Sequence, residues 1–222
     1  MTNSTPFDVE FFWDPVCPWA WLTSRWVDDV ARQRGLRVDW RFISLRLLNK
    51  DRDYERDFPA GYPAVHGSGL KLLRVAAAVR EAEGPGRMGT LYTQFGADIH
   101  VRGRRDEIMH GWEDGFPDYL RSVGIEDRYL AAANDERWDT LLQAETDDAL
   151  SRTGRDVGTP IISVRRDGEL LSFFGPVMSR VPRGADALRL WDALWEVASF
   201  PGMAELKRTI RERPQLADSM GD

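Results

Sequence analysis

A single cysteine, Cys17, stands in the run Cys17-Pro18-Trp19-Ala20-Trp21 and is the only thiol of the chain. One thiol closes no internal disulfide, so any disulfide formed here joins this chain to a different molecule. Pro18 suits the first position of a helix, where a missing N–H is no loss, and Trp19, Leu22, Trp26 and Val30 recur at helical spacing until Gly35. Cys17 is therefore expected at a helix N-terminus. Unpaired N–H groups and the positive end of the helix dipole favour the nucleophilic thiolate there, and no Lys or Arg lies between Pro15 and Leu22 to assist. By residue type alone a lone Cys is also a small buried hydrophobe without chemistry. The helix start argues for reactivity.

Other signals lead elsewhere. His66, His100 and His110 have no ligand spacing and no cysteine partners, so no metal site is expected. Gly84-Pro85-Gly86-Arg87-Met88-Gly89 matches a dinucleotide fingerprint by letter, but a helix precedes it where a strand is required, so it reads as an interhelical turn and no nucleotide is expected. Acidic pairs such as Asp147-Asp148 read as solvated helix faces. A net charge of -6, with both signs mixed along the chain, makes nucleic acid an unsuitable partner. No apolar run is long enough to span a bilayer, and the opening Met1 to Pro6 has neither the basic start nor the apolar stretch of a secretory signal. A cytoplasmic protein with no membrane partner is expected.

The elements that must position Cys17 are legible in the periodicity. Phe7, Val9, Phe11 and Trp13 alternate with polar residues until Phe12 breaks the pattern, which reads as a strand ending at Asp14-Pro15. Val38, Trp40 and Phe42 form a second strand, so the first third is a right-handed βαβ unit. Asn49 to about Gly69 is charged and rich in Pro, Gly and Tyr, and reads as a long functional loop. Helical patterns follow at Leu70 to Ala78, Leu91 to Ile99, Ile108 to Val123, Asp127 to Ala133 and Trp138 to Leu150. Ile161 to Val164 and Leu170 to Phe174 flank the turn Arg165-Arg166-Asp167-Gly168 and read as a hairpin. A last helix spans Ala185 to Val197, with a second short one from Met203. The fold class is α/β, with residues 1–58 and 154–222 as one domain and 59–153 as an all-helical insertion.

The order βαβ, helical insert, ββα, with Cys-Pro-Trp at the first helix and Gly158-Thr159-Pro160 before the hairpin, resembles the DsbA-like branch of the thioredoxin superfamily. The strings Phe12 to Trp21 and Phe173 to Gly184 look like the mycothiol-dependent reductases of actinobacteria, nitroreductases among them. The resemblance implies a thioredoxin fold, a catalytic Cys17 supported by Pro18, Trp19, Ala20, Thr159 and a cis Pro160, and a pocket for thiol and substrate at Trp19, Asn49, Tyr62 and His100. Residue by residue, packing or a solvated loop explains these four equally well. The co-substrate implied is a low-molecular-weight thiol such as mycothiol, with an aromatic or disulfide substrate, acting on a monomer or homodimer. One departure limits the carry-over: the family's redox pair is Cys-x-x-Cys, and the fourth position here is Ala20. A dithiol cycle is excluded by count. Three readings remain: a monothiol oxidoreductase; a thiol-dependent isomerase or transferase resembling hydroxychromene-carboxylate isomerases; and a binding module without redox activity.

Overall fold

In the computed structural model, which describes residues 7–111, 116–166, 168–208 and 212–221, the sheet forms around a central strand. β1 (Val9–Trp13) pairs in parallel with β2 (Val38–Phe42), α1 (Pro18–Arg34) making the crossover between them. On its other side β1 pairs antiparallel with β3 (Ile161–Arg166), which turns back into β4 (Glu169–Phe174), giving the order β2-β1-β3-β4. Asp167 of the expected turn, like the opening residues 1–6, lies outside the described residues.

A central strand is covered on both faces, and this explains the broken alternation of β1. Val9, Phe11 and Trp13 belong to the main core, whereas Phe12 turns the other way into a smaller cluster with Ile43, Ala149, Leu150 and Ile161. Glu10 shares the Phe12 face and meets Arg152 of α8 (Asp139–Thr153), whose guanidinium also takes Asp148 and Ser163. The main core runs on from the sheet into the insert through Leu72, Phe95, Tyr119 and Trp138.

Between β2 and β3 lie α2 (Leu45–Leu48), α3 (Tyr54–Asp57), α4 (Tyr62–Glu83), α5 (Met88–His100), α6 (Arg105–His110), α7 (Phe116–Ser122) and α8, with short 3₁₀ turns at Pro85–Arg87, Asp127–Asn134 and Glu136–Trp138. Two sequence expectations fail here. The segment from Asn49 to Gly69 is not one loop, because α3 sits inside it and α4 starts at Tyr62. Within α4, a Cβ at Gly69 would stand 2.8 Å from an Asp14 carboxylate oxygen and 3.1 Å from Val16. Glycine is placed in mid-helix so that α4 can touch the loop before Cys17. The Gly84 to Gly89 segment is the interhelical turn expected of it. Asp127 to Asn134 is 3₁₀ rather than α-helical, and 112–115, inside the expected Ile108 to Val123 helix, lie outside the described residues.

After β4 comes α9 (Gly184–Ala198), where Trp191 packs edge-on against Trp26 of α1 at 5.3 Å. The short helix expected from Met203 is absent over 203–208, where the chain is irregular, and 209–211 lie outside the described residues. Further on, Ser219 is buried against α1: its hydroxyl accepts from Trp21 Nε1 at 2.8 Å and its carbonyl accepts from Arg183. Among the described residues no helix is long and apolar enough to cross a membrane.

Candidate active site

β1 delivers the chain at Trp13 into a tight loop, Asp14-Pro15-Val16, closed by Cys17 N–H donating to the Asp14 carbonyl at 3.2 Å. Cys17 is the N-cap of α1, in extended conformation (φ -82°, ψ 110°), and Pro18 follows in the first turn. Its sulfur accepts from Ala20 N–H at 3.4 Å, as an N-cap side chain does, and its S–H points to the Thr159 carbonyl at 3.6 Å. The Thr159 hydroxyl donates to the Phe12 carbonyl at 3.1 Å, which ties that segment to β1. The Thr159–Pro160 and Gly175–Pro176 peptides are both cis. Gly175 N–H donates to the Pro160 carbonyl at 2.8 Å and the Thr23 hydroxyl of α1 to the Pro176 carbonyl at 2.8 Å, so both proline segments are fastened beside the helix that carries the thiol.

The charge state of Cys17 corrects the sequence expectation. The thiol is 6% exposed, and burial pushes its pKa up to about 12, with the nearby Asp14 charge adding to the rise. The N–H groups of Ala20 and Trp19 work in the expected direction, but removing a thiolate from water costs more than two donors return. At rest this is a neutral thiol.

The four candidate pocket residues separate. Trp19 is half-buried next to Cys17. Asn49 ends α2, its side-chain amide donating to the Leu45 carbonyl at 2.8 Å. Tyr62 opens α4 at 40% exposure and stacks on Phe58 (5.8 Å), which stacks on Tyr54 (4.7 Å). His66 stands edge-on to all three rings, its Nδ1 within 3.0 Å of the Tyr54 hydroxyl, and Arg46 lies over Tyr54 at 4.7 Å. His100, the last residue of α5, is buried: Nε2 donates to the Pro15 carbonyl at 2.9 Å, and the ring stacks on Trp21 at 5.9 Å. It braces the cysteine loop from behind.

Sequence reasoning missed Tyr54, Phe58 and His66, whose spacing on two short helical segments only makes sense once α3 is known. It also missed Asp14, an acid flanked by Trp13 and Pro15, which was a readable signal. Asp14 is fully buried, and burial raises its carboxyl to about 7 against the donors Val16 and Leu45. Among the described residues no group of three or more His, Cys, Asp or Glu is placed to hold a metal ion.

Two expected results follow from these positions. Tyr62→Ala removes a half-exposed ring and should change stability by less than about 1 kcal/mol; a larger loss in thermal unfolding would show that its stack on Phe58 belongs to the core. The second concerns pH. Burial holds His66 and His100 down near about 4 from 6.5, so each contributes stability that is complete above pH 6.5 and lost as pH falls to about 4. Asp14 has the opposite sign, its contribution declining as pH rises from 3.8 to about 7. Asp39, also raised by burial, shares that sign; the two imidazoles, together with arginine-paired carboxyls held low such as Asp57 and Glu83, outweigh the two raised carboxyls and leave a net loss on acidification. The Tm in scanning calorimetry should fall between pH 6.5 and 4.5; a rise would show that the imidazoles are not held neutral.

A family profile described as Rv2466c-like, mycothiol-dependent nitroreductase Rv2466c, matches residues 16–208. The uncharacterised protein Rv2286c of Mycobacterium tuberculosis is 30% identical over 205 residues, covering 90% of this chain and 81% of its own. Among solved structures, a 2-hydroxychromene-2-carboxylate isomerase superposes with a TM-score of 0.51 at 13% identity, over 85% of this chain and 94% of that one. The cytosolic disulfide reductase DsbM from Pseudomonas aeruginosa gives 0.49 at 17% identity, over 74% and 87%. The α/β thioredoxin fold with its helical insert is the fold of that isomerase.

Proposed function

Because the chain belongs to the Rv2466c-like family of mycothiol-dependent nitroreductases, we propose that it is a monothiol oxidoreductase in which Cys17 carries a low-molecular-weight thiol of the mycothiol class as a mixed disulfide. The observation that carries this reading is the placement of the sulfur: at the N-cap of α1, opposite the Thr159 carbonyl beside Pro160, with Ala20 where a resolving thiol would stand. The Cys17 thiolate attacks a substrate–thiol mixed disulfide, the S–S bond breaks, and the substrate leaves as a thiol while the small thiol stays on Cys17. A second small thiol then attacks that adduct, releasing Cys17 and a small-molecule disulfide whose formation supplies the two electrons. Backbone N–H groups of Ala20 and Trp19 face the sulfur and stabilise its charge as it develops. The aromatic group of Tyr54, Phe58, Tyr62 and His66 offers flat surface for an aromatic acceptor, and Trp19 borders the sulfur.

The neutral state of Cys17 favours a second reading, in which a bound small thiol is the working group of an isomerase or transferase and Cys17 is only a contact. One experiment bears on the choice. The purified protein is incubated with oxidised mycothiol and its intact mass measured. One adduct per chain, released by excess reduced mycothiol, is the expected result; no adduct at any pH up to 9 would end the monothiol reading.

A further inference from the structure

Trp21 has no part in the exchange scheme above, and its one polar atom is bonded to the far end of the chain. The indole is fully buried: a Cβ at Gly96 of α5 would overlap the ring, and the Arg25 guanidinium lies over it at 4.4 Å. Packing of this kind fixes the plane of a ring and leaves it free to slide within that plane. The directional contact is Nε1–H, which donates to the Ser219 hydroxyl at 2.8 Å. Ser219 is set to receive it. Its own hydroxyl proton goes to the Leu216 carbonyl at 2.6 Å, which leaves the oxygen as acceptor, and its carbonyl accepts from Arg183. Gln215 N–H, donating to the Ser179 carbonyl at 2.9 Å, fastens the start of the same segment.

From the indole the contacts lead to the thiol. Trp21 stacks on His100 at 5.9 Å, and His100 Nε2 donates to the Pro15 carbonyl at 2.9 Å, inside the turn that Cys17 N–H closes on Asp14. His100 Nδ1 is buried with no hydrogen-bond partner among the described residues, so the orientation of the imidazole rests on that one bond and on the stack. We propose that Ser219 is a positioning residue for Cys17: by fixing where the indole lies it fixes His100, and through the Pro15 carbonyl it holds the cysteine loop closed over the sulfur. The inference rests on Cys17 being the working thiol proposed above. A loop held in this way keeps water from the sulfur, in agreement with the buried, neutral thiol.

The test is the rate of Cys17 alkylation by iodoacetamide at about pH 8, below the pKa of an ordinary thiol, which needs no mycothiol. Ser219→Ala trims one oxygen from a C-terminal turn and leaves a buried indole N–H without its acceptor. The ring shifts, His100 loosens, and water reaches the sulfur. Each unit by which the thiol pKa then falls raises the thiolate fraction about tenfold, so the rate should rise about three- to tenfold. Tyr129→Phe deletes the 2.8 Å bond to Glu83 in the helical insert, a matched loss of one hydrogen bond away from the thiol, and should leave the rate unchanged. Ser219→Thr keeps the hydroxyl and should return the rate to the native value. A rate in Ser219→Ala no higher than in Tyr129→Phe, or raised alike in Ser219→Ala and Ser219→Thr, overturns the proposal. Faster alkylation in Ser219→Ala, with no mycothiol adduct on the native protein, would sink the monothiol reading and leave Ser219 standing; an adduct with unaltered alkylation would do the reverse.

Discussion

Cys17→Ser is expected to abolish the thiol adduct and reduce turnover to background while leaving the fold intact. Chemistry is lost completely because a serine hydroxyl does not form the mixed disulfide that links the two half-reactions. Stability survives for a local reason. Serine is among the best N-cap residues, and its hydroxyl can accept from Ala20 N–H and donate to the Thr159 carbonyl, the two contacts the sulfur makes now. The Tm should therefore move by only a few degrees. Intact mass, turnover and calorimetry on one preparation check all three statements. Turnover above about a tenth of the native rate would transfer the chemistry to a bound small thiol and favour the isomerase or transferase reading.

Ala20→Cys has the opposite sign and a comparable size. Residue 20 lies three positions after the N-cap, and its backbone N–H already touches the Cys17 sulfur, so the two side chains are neighbours on one face. That spacing is compatible with the Cα separation of roughly 4.4–6.8 Å that a disulfide needs. The new thiol should attack a Cys17 adduct intramolecularly and shorten its lifetime by at least about a hundredfold, since a held reactant acts at an effective concentration far above that of free thiol. The variant should also gain a dithiol reductase cycle. Ala20 is fully buried, so the reduced form is expected to lose about 1–3 kcal/mol from overpacking. Two free thiols under oxidising conditions, with an unchanged adduct lifetime, would show that Cys17 is not presented as described.

The sequence disclosed most of what periodicity can encode. Pro18 and Gly35 marked both ends of α1, and the βαβ unit and the hairpin stood in alternating residues. What escaped it depends on contacts between distant segments. Phe12 breaks an alternation only if β1 has one buried face, and the second face exists because α8, more than a hundred residues on, lies against it. The Gly-rich stretch up to Gly69 reads as loop until Asp14 and Val16 are known to press on Gly69. The charge of Cys17 was misjudged for the same kind of reason: the helix end is local and visible, whereas the water excluded from the sulfur is removed by segments around Thr159 and Asp14 that no window centred on residue 17 weighs together.

The bond between Trp21 and Ser219 spans 198 residues, and the one between Cys17 and Thr159 spans 142. At about 5–20 residues per second, a ribosome needs some 7–28 s after Cys17 before Thr159 is made, and some 10–40 s after Trp21 before Ser219 is. Through that interval the nascent thiol is neither shielded nor held. Its reactivity is then that of an ordinary cysteine in water, and the quiet thiol of the finished protein is acquired late in biogenesis, when the last segments close around the first helix.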